Sequence, residues 1–111
     1  MQISIDDEGQ NAKVALVGKL DIQGAEVVAM PLATLSGAKQ NVLLDMSQVS
    51  FLASIGIRHL VTATKTLARK GGQLILIGSQ EPIREVLTTA GLASMIAMVA
   101  SETEARAMLA R

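Results

Sequence analysis

Ser54 is the residue of this chain best placed to carry chemistry. It closes the apolar pulse Val49-Ser50-Phe51-Leu52 and stands two residues before Gly56, with an amphipathic stretch behind it. That spacing puts its hydroxyl where a helix begins. The first N–H groups of a helix lack intrahelical partners, and the positive end of the helix dipole lies there. Such a place tolerates, and can stabilise, a phosphate or another anion. The chemistry expected of Ser54 is therefore covalent switching rather than turnover.

Constellations for catalysis are mostly missing. His59 is the single histidine, set in a basic stretch with no Asp or Glu between Met46 and Gln80. A metal ligand set or a general base has no partners there, and a partly exposed helix residue is the plainer expectation. Gly18-Lys19 lacks the upstream glycine and following hydroxyl of a phosphate-cradling loop. Gly71-Gly72 reads as helix termination, Gly78-Ser79 as a weak pocket signal, and no serine lies in a nucleophile elbow. The expectation is a non-enzyme without catalytic residues, metal or cofactor. Asp21 and Asp45 each follow an apolar run, where the carboxyl ends of parallel strands gather functional groups. Two readings stand for them: members of an edge site with Ser54, or a helix cap (Asp21) and a partner of a turn amide (Asp45).

These residues need a scaffold, and 111 residues suffice for one domain that buries its own core. Half of the residues are apolar, yet Phe51 is the only aromatic. Aliphatic residues must build the core, and base-stacking platforms for single-stranded nucleic acid are excluded. A net charge of zero leaves no strong field for DNA or anionic lipid. The lack of cysteine fits a reducing compartment. The N-terminal residues MQISIDDEGQ lack the pattern of a signal peptide, and Leu92–Ala100 is too short to span a bilayer. A cytoplasmic domain without membrane insertion is expected.

Periodicity and punctuation give the element order. Gln2–Ile5 is a strand stopped by the acidic run Asp6-Asp7-Glu8, and Ala12–Val17 is its hairpin partner, ending at Gly18. A helix runs from Ile22 to about Ser36, with Pro31 as a kink or break. Val42-Leu43-Leu44 is a buried strand, followed by a polar turn. The next helix spans Gly56–Lys70, burying Ile57, Leu60, Val61, Thr64, Leu67 and Ala68. Gln73–Ile77 is a central strand, and Pro82 opens a helix to Thr89. Met95–Val99 is an edge strand, and Ser101 caps a last helix through Leu109. The order β-β-α-β-α-β-α-β-α predicts an α/β fold, a mixed sheet with helices packed over it.

The unit LLDMSQVSFLASIGIRHL resembles the signature of the STAS domain, in particular the bacterial anti-sigma factor antagonists. Their common form is a strand, Asp-x-Ser, a short apolar strand, then Asp-Ser-Ser/Thr-Gly and a helix. Gly18-Lys19-Leu20-Asp21 resembles the Gly-x-Leu-Asp element of that family, and the Gly-Gly turn, the LILIG strand and Gly91-Leu92 fall in its order. The resemblance covers nearly the whole chain and implies one STAS domain over residues 1–111. It implies that Ser54 is phosphorylated by an anti-sigma factor that is itself a Ser/Thr kinase, with a Ser/Thr phosphatase as a further partner. The unphosphorylated form would bind that kinase and free its target. Ala53 departs from the pattern where the family carries an acid, and Ile55 where it carries a second hydroxyl. Ser54 remains the acceptor at the helix start, ahead of Ser50 and Ser47.

Arg58, Thr62, Lys65 and Arg69 follow Ser54 at helical spacing and form a ridge. Asp21, Ser54, Gly56, Arg58, Thr62 and Lys65 are the expected partner-binding residues, with Gly56 exposed and leaving room for close approach. A phosphate adds about 1.5 to 2 negative charges, and burying it unpaired costs several kcal/mol. About 1.4 kcal/mol already weakens binding tenfold. Two other functions compete: a regulatory STAS subunit of a transport assembly, and a small-ligand sensor or enzyme at the Asp21–Ser54 edge. A monomer or weak homodimer is expected, the Met95–Val99 edge being the place for another chain.

Overall fold

Alternation in the second strand organises the molecule. In β2 (Asn11–Leu20) Ala12, Val14, Leu16 and Leu20 are buried while Val17 and Lys19 look outward. The computed structural model describes residues 1–110. Its elements are β1 (Gln2–Glu8), β2, α1 (Ile22–Ala38), β3 (Asn41–Leu52), α2 (Ser54–Ala68), β4 (Leu74–Ile77), α3 (Glu81–Thr89), β5 (Ala97–Val99) and α4 (Glu102–Leu109). The sheet order is β1-β2-β3-β4-β5, with β1 antiparallel to β2 and every other pair parallel. The expected mixed sheet and element order are both present.

Two layers of helix cover the sheet unequally. One face takes α1, α2 and α3, through Val28 and Leu32, Leu60, Ala63 and Leu67, and Ile83 and Leu87 against Val14, Leu44, Met46 and Leu76. The other face carries α4 alone, whose Ala105, Met108 and Leu109 pack on Leu43, Ile75 and Ile77. Val42, Leu43 and Leu44 are buried in sequence because β3 is central and covered on both sides. Ion pairs tie α4 down, Lys13 to Glu102 and Arg106 to Glu8, and Arg106 also meets Glu102 within the helix.

Several boundaries differ from the sequence expectation, each for a local reason. The acidic run does not stop β1. Asp7 binds Lys39, Glu8 binds Arg106, and Asp6 lies opposite Lys13 in the register, so basic partners let the edge strand run on through Glu8. β2 continues through Gly18 to Leu20, with register shifts against β3 absorbing the irregularity. Those same shifts turn the expected polar turn after Leu44 into continuous strand as far as Leu52. Pro31 does not end α1, which runs on to Ala38. The bond it cannot donate would go to the carbonyl of Val27, an exposed residue on the solvent side. α2 starts two residues earlier than expected and stops at Ala68, with Ala68 exposed and Ala63 buried instead. Its end turns tightly, Gly72 N–H donating to the Leu67 carbonyl at 2.9 Å. A Cβ on Gly72 would meet the Gln40 carbonyl oxygen at 1.6 Å, so only glycine fits. The edge strand β5 is shorter than Met95–Val99, because Met95 and Ile96 donate to the Leu92 carbonyl in a turn.

Candidate functional site

β2 and β3 deliver the site together. Leu20 and Leu52 are register partners, and the Ala53 N–H donates to the Leu20 carbonyl at 2.9 Å. The chain leaves β2 at Asp21 into α1 and leaves β3 at Ala53 into α2. Asp21 and Ser54 thus come to the same edge of the sheet, at the carboxyl ends of its parallel strands.

Ser54 is the first residue of α2 and is exposed. Ala53 holds the cap position in extended backbone, φ −93° and ψ 166°, and has no side-chain oxygen to cap with. The first backbone bond of the helix runs from Ile57 N–H to the Ala53 carbonyl at 3.1 Å. The N–H groups of Ser54, Ile55 and Gly56 precede it, beside the serine hydroxyl. Arg58, Thr62, Lys65 and Arg69 are all exposed along the helix. None of these cations, nor Lys19, enters the ion pairs among the described residues, which use Lys13, Lys39 and Arg106.

Asp21 is partly buried and its Oδ1 accepts the Gly24 N–H at 2.8 Å, capping α1. Asp45 is spent on Ser47, accepting its N–H at 2.9 Å and its hydroxyl at 2.6 Å. That engagement takes the Ser47 hydroxyl out of the exposed set, while Ser50 lies exposed where β3 shifts register. His59 is partly exposed in the cleft between α1 and α2, beside Ala33, Ser36 and Thr62. Among the described residues no three His, Asp or Glu side chains gather to hold a metal ion.

Gly56 corrects an expectation. It is buried rather than exposed, and a Cβ there would stand 2.8 Å from Leu20 Cγ and 3.0 Å from Leu52 Cδ1. Its lack of a side chain lets α2 settle onto the ends of β2 and β3, so it is no surface contact. Sequence reasoning missed two other residues. Phe51 is 49% exposed and Ile22 is 70% exposed. With Asp21, Gln23 and Ala53 they line a shallow groove of about 390 Å³. The signal was available, since Phe51 and Leu52 are neighbours on a strand and only one can face the core.

The geometry defines a single α/β domain that displays a hydroxyl at the start of the helix following its central strand. The chain belongs to the STAS domain family, whose profile matches residues 2–105. BtrV of Bordetella bronchiseptica, named as an anti-sigma factor antagonist, is 27% identical over 108 residues, covering 96% of this chain and 92% of that protein. The structure of an anti-sigma factor antagonist from Thermotoga maritima superposes with a TM-score of 0.90 at 17% identity, covering 98% and 95% of the two chains. The anti-sigma factor antagonist SpoIIAA in its unphosphorylated form gives 0.83 at 22% identity, covering 97% and 96%. The phosphorylated form of Bacillus SpoIIAA gives 0.76 at 22% identity, covering 97% and 99%. The fold also recurs inside a much longer protein, the murine anion transporter Slc26a9, with a TM-score of 0.75 at 19% identity over 93% of this chain and 18% of that one. No helix of the described residues is long and apolar enough to cross a membrane.

Proposed function

We propose that this chain is an anti-sigma factor antagonist, a non-enzymatic binding module gated by phosphorylation of Ser54. The observation that carries this reading is the exposed Ser54 hydroxyl on the first residue of α2, next to first-turn N–H groups that no capping side chain occupies. BtrV bears the name of that function, and SpoIIAA has been solved in both phosphorylation states on this fold.

In the unphosphorylated form Ser54, with the exposed Arg58, Thr62 and Lys65 behind it and Asp21 beside it, docks an anti-sigma factor that is also a Ser/Thr kinase. Transfer of the ATP γ-phosphoryl group to Ser54 Oγ places roughly two negative charges in that interface. The charge is desolvated against the partner surface and drives release. A Ser/Thr phosphatase restores the binding form. The absence of an acid at Ala53 removes one like charge from the neighbourhood of the phosphate.

Purification of the protein from its native cell, followed by mass spectrometry of the captured proteins and of Ser54, tests the reading. A kinase in the complex and phosphate on Ser54 in the unbound pool are the expected results. Capture of a permease or ATPase, with Ser54 unmodified throughout, would replace it with the transport-subunit reading.

A further inference from the structure

α1 is nearly free of charge. Glu26 is the single charged residue among its 17, and on the outward side Ile22 is 70% and Met30 74% exposed. A helix that apolar is ordinarily covered on both faces, whereas α1 is covered on one. Ile22, Glu26, Met30 and Ala33 follow one another at spacings of four and three, so they form one stripe along it.

α2 lies beside α1 on the same face of the sheet and has the opposite character. Arg58, Thr62, Lys65 and Arg69 form its exposed stripe, and none of these cations enters an ion pair among the described residues. No Asp or Glu occurs between Met46 and Gln80, so a chain of zero net charge keeps its acids off this helix. The two stripes border one slot, because Ala33 and Thr62 both line it. They match in length, from Ile22 to Ala33 and from Arg58 to Arg69, about 16 Å each.

We infer that the paired stripes of α1 and α2 bind an amphipathic acidic helix of the partner protein, whose apolar side rests on Ile22, Met30 and Ala33 and whose carboxylates meet Arg58, Lys65 and Arg69. Both halves of the occupant follow from the surface. A largely apolar stripe and an all-cationic one lie side by side, and a helix matching both carries apolar and acidic residues on adjacent sides. Glu26 sets the register, since a carboxylate opposite it is repelled. The inference rests on the reading of this chain as a partner-binding module and names the element of the partner that it holds. An anionic membrane matches the cations but not the rest. Glu26 stands in the apolar stripe, and the slot holds the buried Ser36 hydroxyl, which has no hydrogen-bond partner among the described residues and which a lipid tail could not satisfy.

The test is selection of helices from a library randomised on the surface of a stable helical scaffold, displayed on phage, against the folded Ser54→Ala protein. Enriched helices should carry Leu, Ile, Met or Phe beside Asp or Glu at spacings of three and four, with binding that weakens as salt rises. Met30→Glu should weaken them at least tenfold, and Arg58→Glu with Arg69→Glu by a similar factor. Lys19→Glu, on the opposite face of the sheet, should leave them unchanged. Thermal melts should stay at the parent value, because all four side chains are exposed. No enrichment, enriched helices without acids, equal affinity for Met30→Glu, an equal loss with Lys19→Glu, or Met30-dependent sedimentation with phosphatidylserine vesicles would overturn the inference. The kinase captured from the native cell separates this surface from the gate. If that kinase binds Ser54→Ala but not Ser54→Asp, and Met30→Glu and the two arginine changes alter nothing, the gate stands and the helix site falls. If the selected helices need Met30 and Arg58 while no kinase is captured and Ser54 stays unmodified, the helix site stands and the gate falls.

Discussion

Gly56 lies so close against Leu20 that a Cβ on the glycine would fall 2.8 Å from Leu20 Cγ. Leu20 is 1% exposed and hemmed in by the core, so its branch point has nowhere to move. Gly56→Ala should therefore cost about 1–3 kcal/mol through overpacking, and Gly56→Val more. Urea unfolding measures it. A Gly56→Ala protein as stable as the parent would show that α2 can shift outward freely, and the close seat of Ser54 would lose its explanation.

Ser54→Ala removes the acceptor and keeps the interface neutral, so this variant should hold the kinase permanently. Ser54→Asp should bind at least tenfold more weakly, roughly 1.4 kcal/mol. Both should melt near the parent, because Ser54 is exposed and an acid favours the first turn of a helix. Calorimetric titration with the captured kinase reads the difference. Equal affinities would remove Ser54 from the interface.

Ala53 is already in the extended backbone of a cap residue but has no oxygen. Ala53→Asp should stabilise the fold by about 0.5–2 kcal/mol by accepting a first-turn N–H. It should also slow phosphorylation of Ser54, by setting a carboxylate beside the incoming phosphate. Unfolding and kinase assays check the two halves separately. A variant that is no more stable would mean that the first-turn N–H groups are not accessible to an anion at all.

Glu8 is held below the usual carboxylate range by its hydrogen bonds to Arg106, and Glu102 by those to Lys13 and then Arg106. Their contribution to stability is complete above the unfolded value of 4.5 and fades as pH falls through the lower folded values. Arg106→Gln should therefore flatten the acid limb of the stability curve, modestly, because the pairs are at the surface. Unfolding midpoints measured from pH 6 down to about pH 3 report it. Identical slopes in parent and variant would show that the Arg106 pairs contribute nothing to the acid limb.

Element order was legible because apolar runs, caps and glycines punctuate this chain plainly, as with Ser101, whose hydroxyl accepts the Glu104 N–H at 3.2 Å. The position of Ser54 at a helix start was legible for the same reason. Most of what escaped depends on contacts between distant residues. Asp45 looks like a turn former, yet its bonds to Ser47 let β3 run on with a register shift instead of reversing. Gly56 has no hydropathy of its own, so nothing local says that Leu20 and Leu52 press against it. Phe51 reads as core by type, and only the strand's alternation with Leu52 sends it outward.

The strand that leads to Ser54 is the middle one of five, flanked by β2 and β4 and sealed above and below through Val42, Leu43 and Leu44. The serine itself follows the far end of that strand, where β3 pairs with β2 alone and the Ala53 N–H bond to the Leu20 carbonyl ties the start of α2 to the sheet. A partner meeting it has little backbone to immobilise, so the entropic cost of association falls mainly on the partner's own segment. Because Ser54 already belongs to α2, modification has no loop here to order or melt. Phosphorylation would then act on the lifetime of the complex, through the dissociation rate, and leave the shape of the free domain as it was.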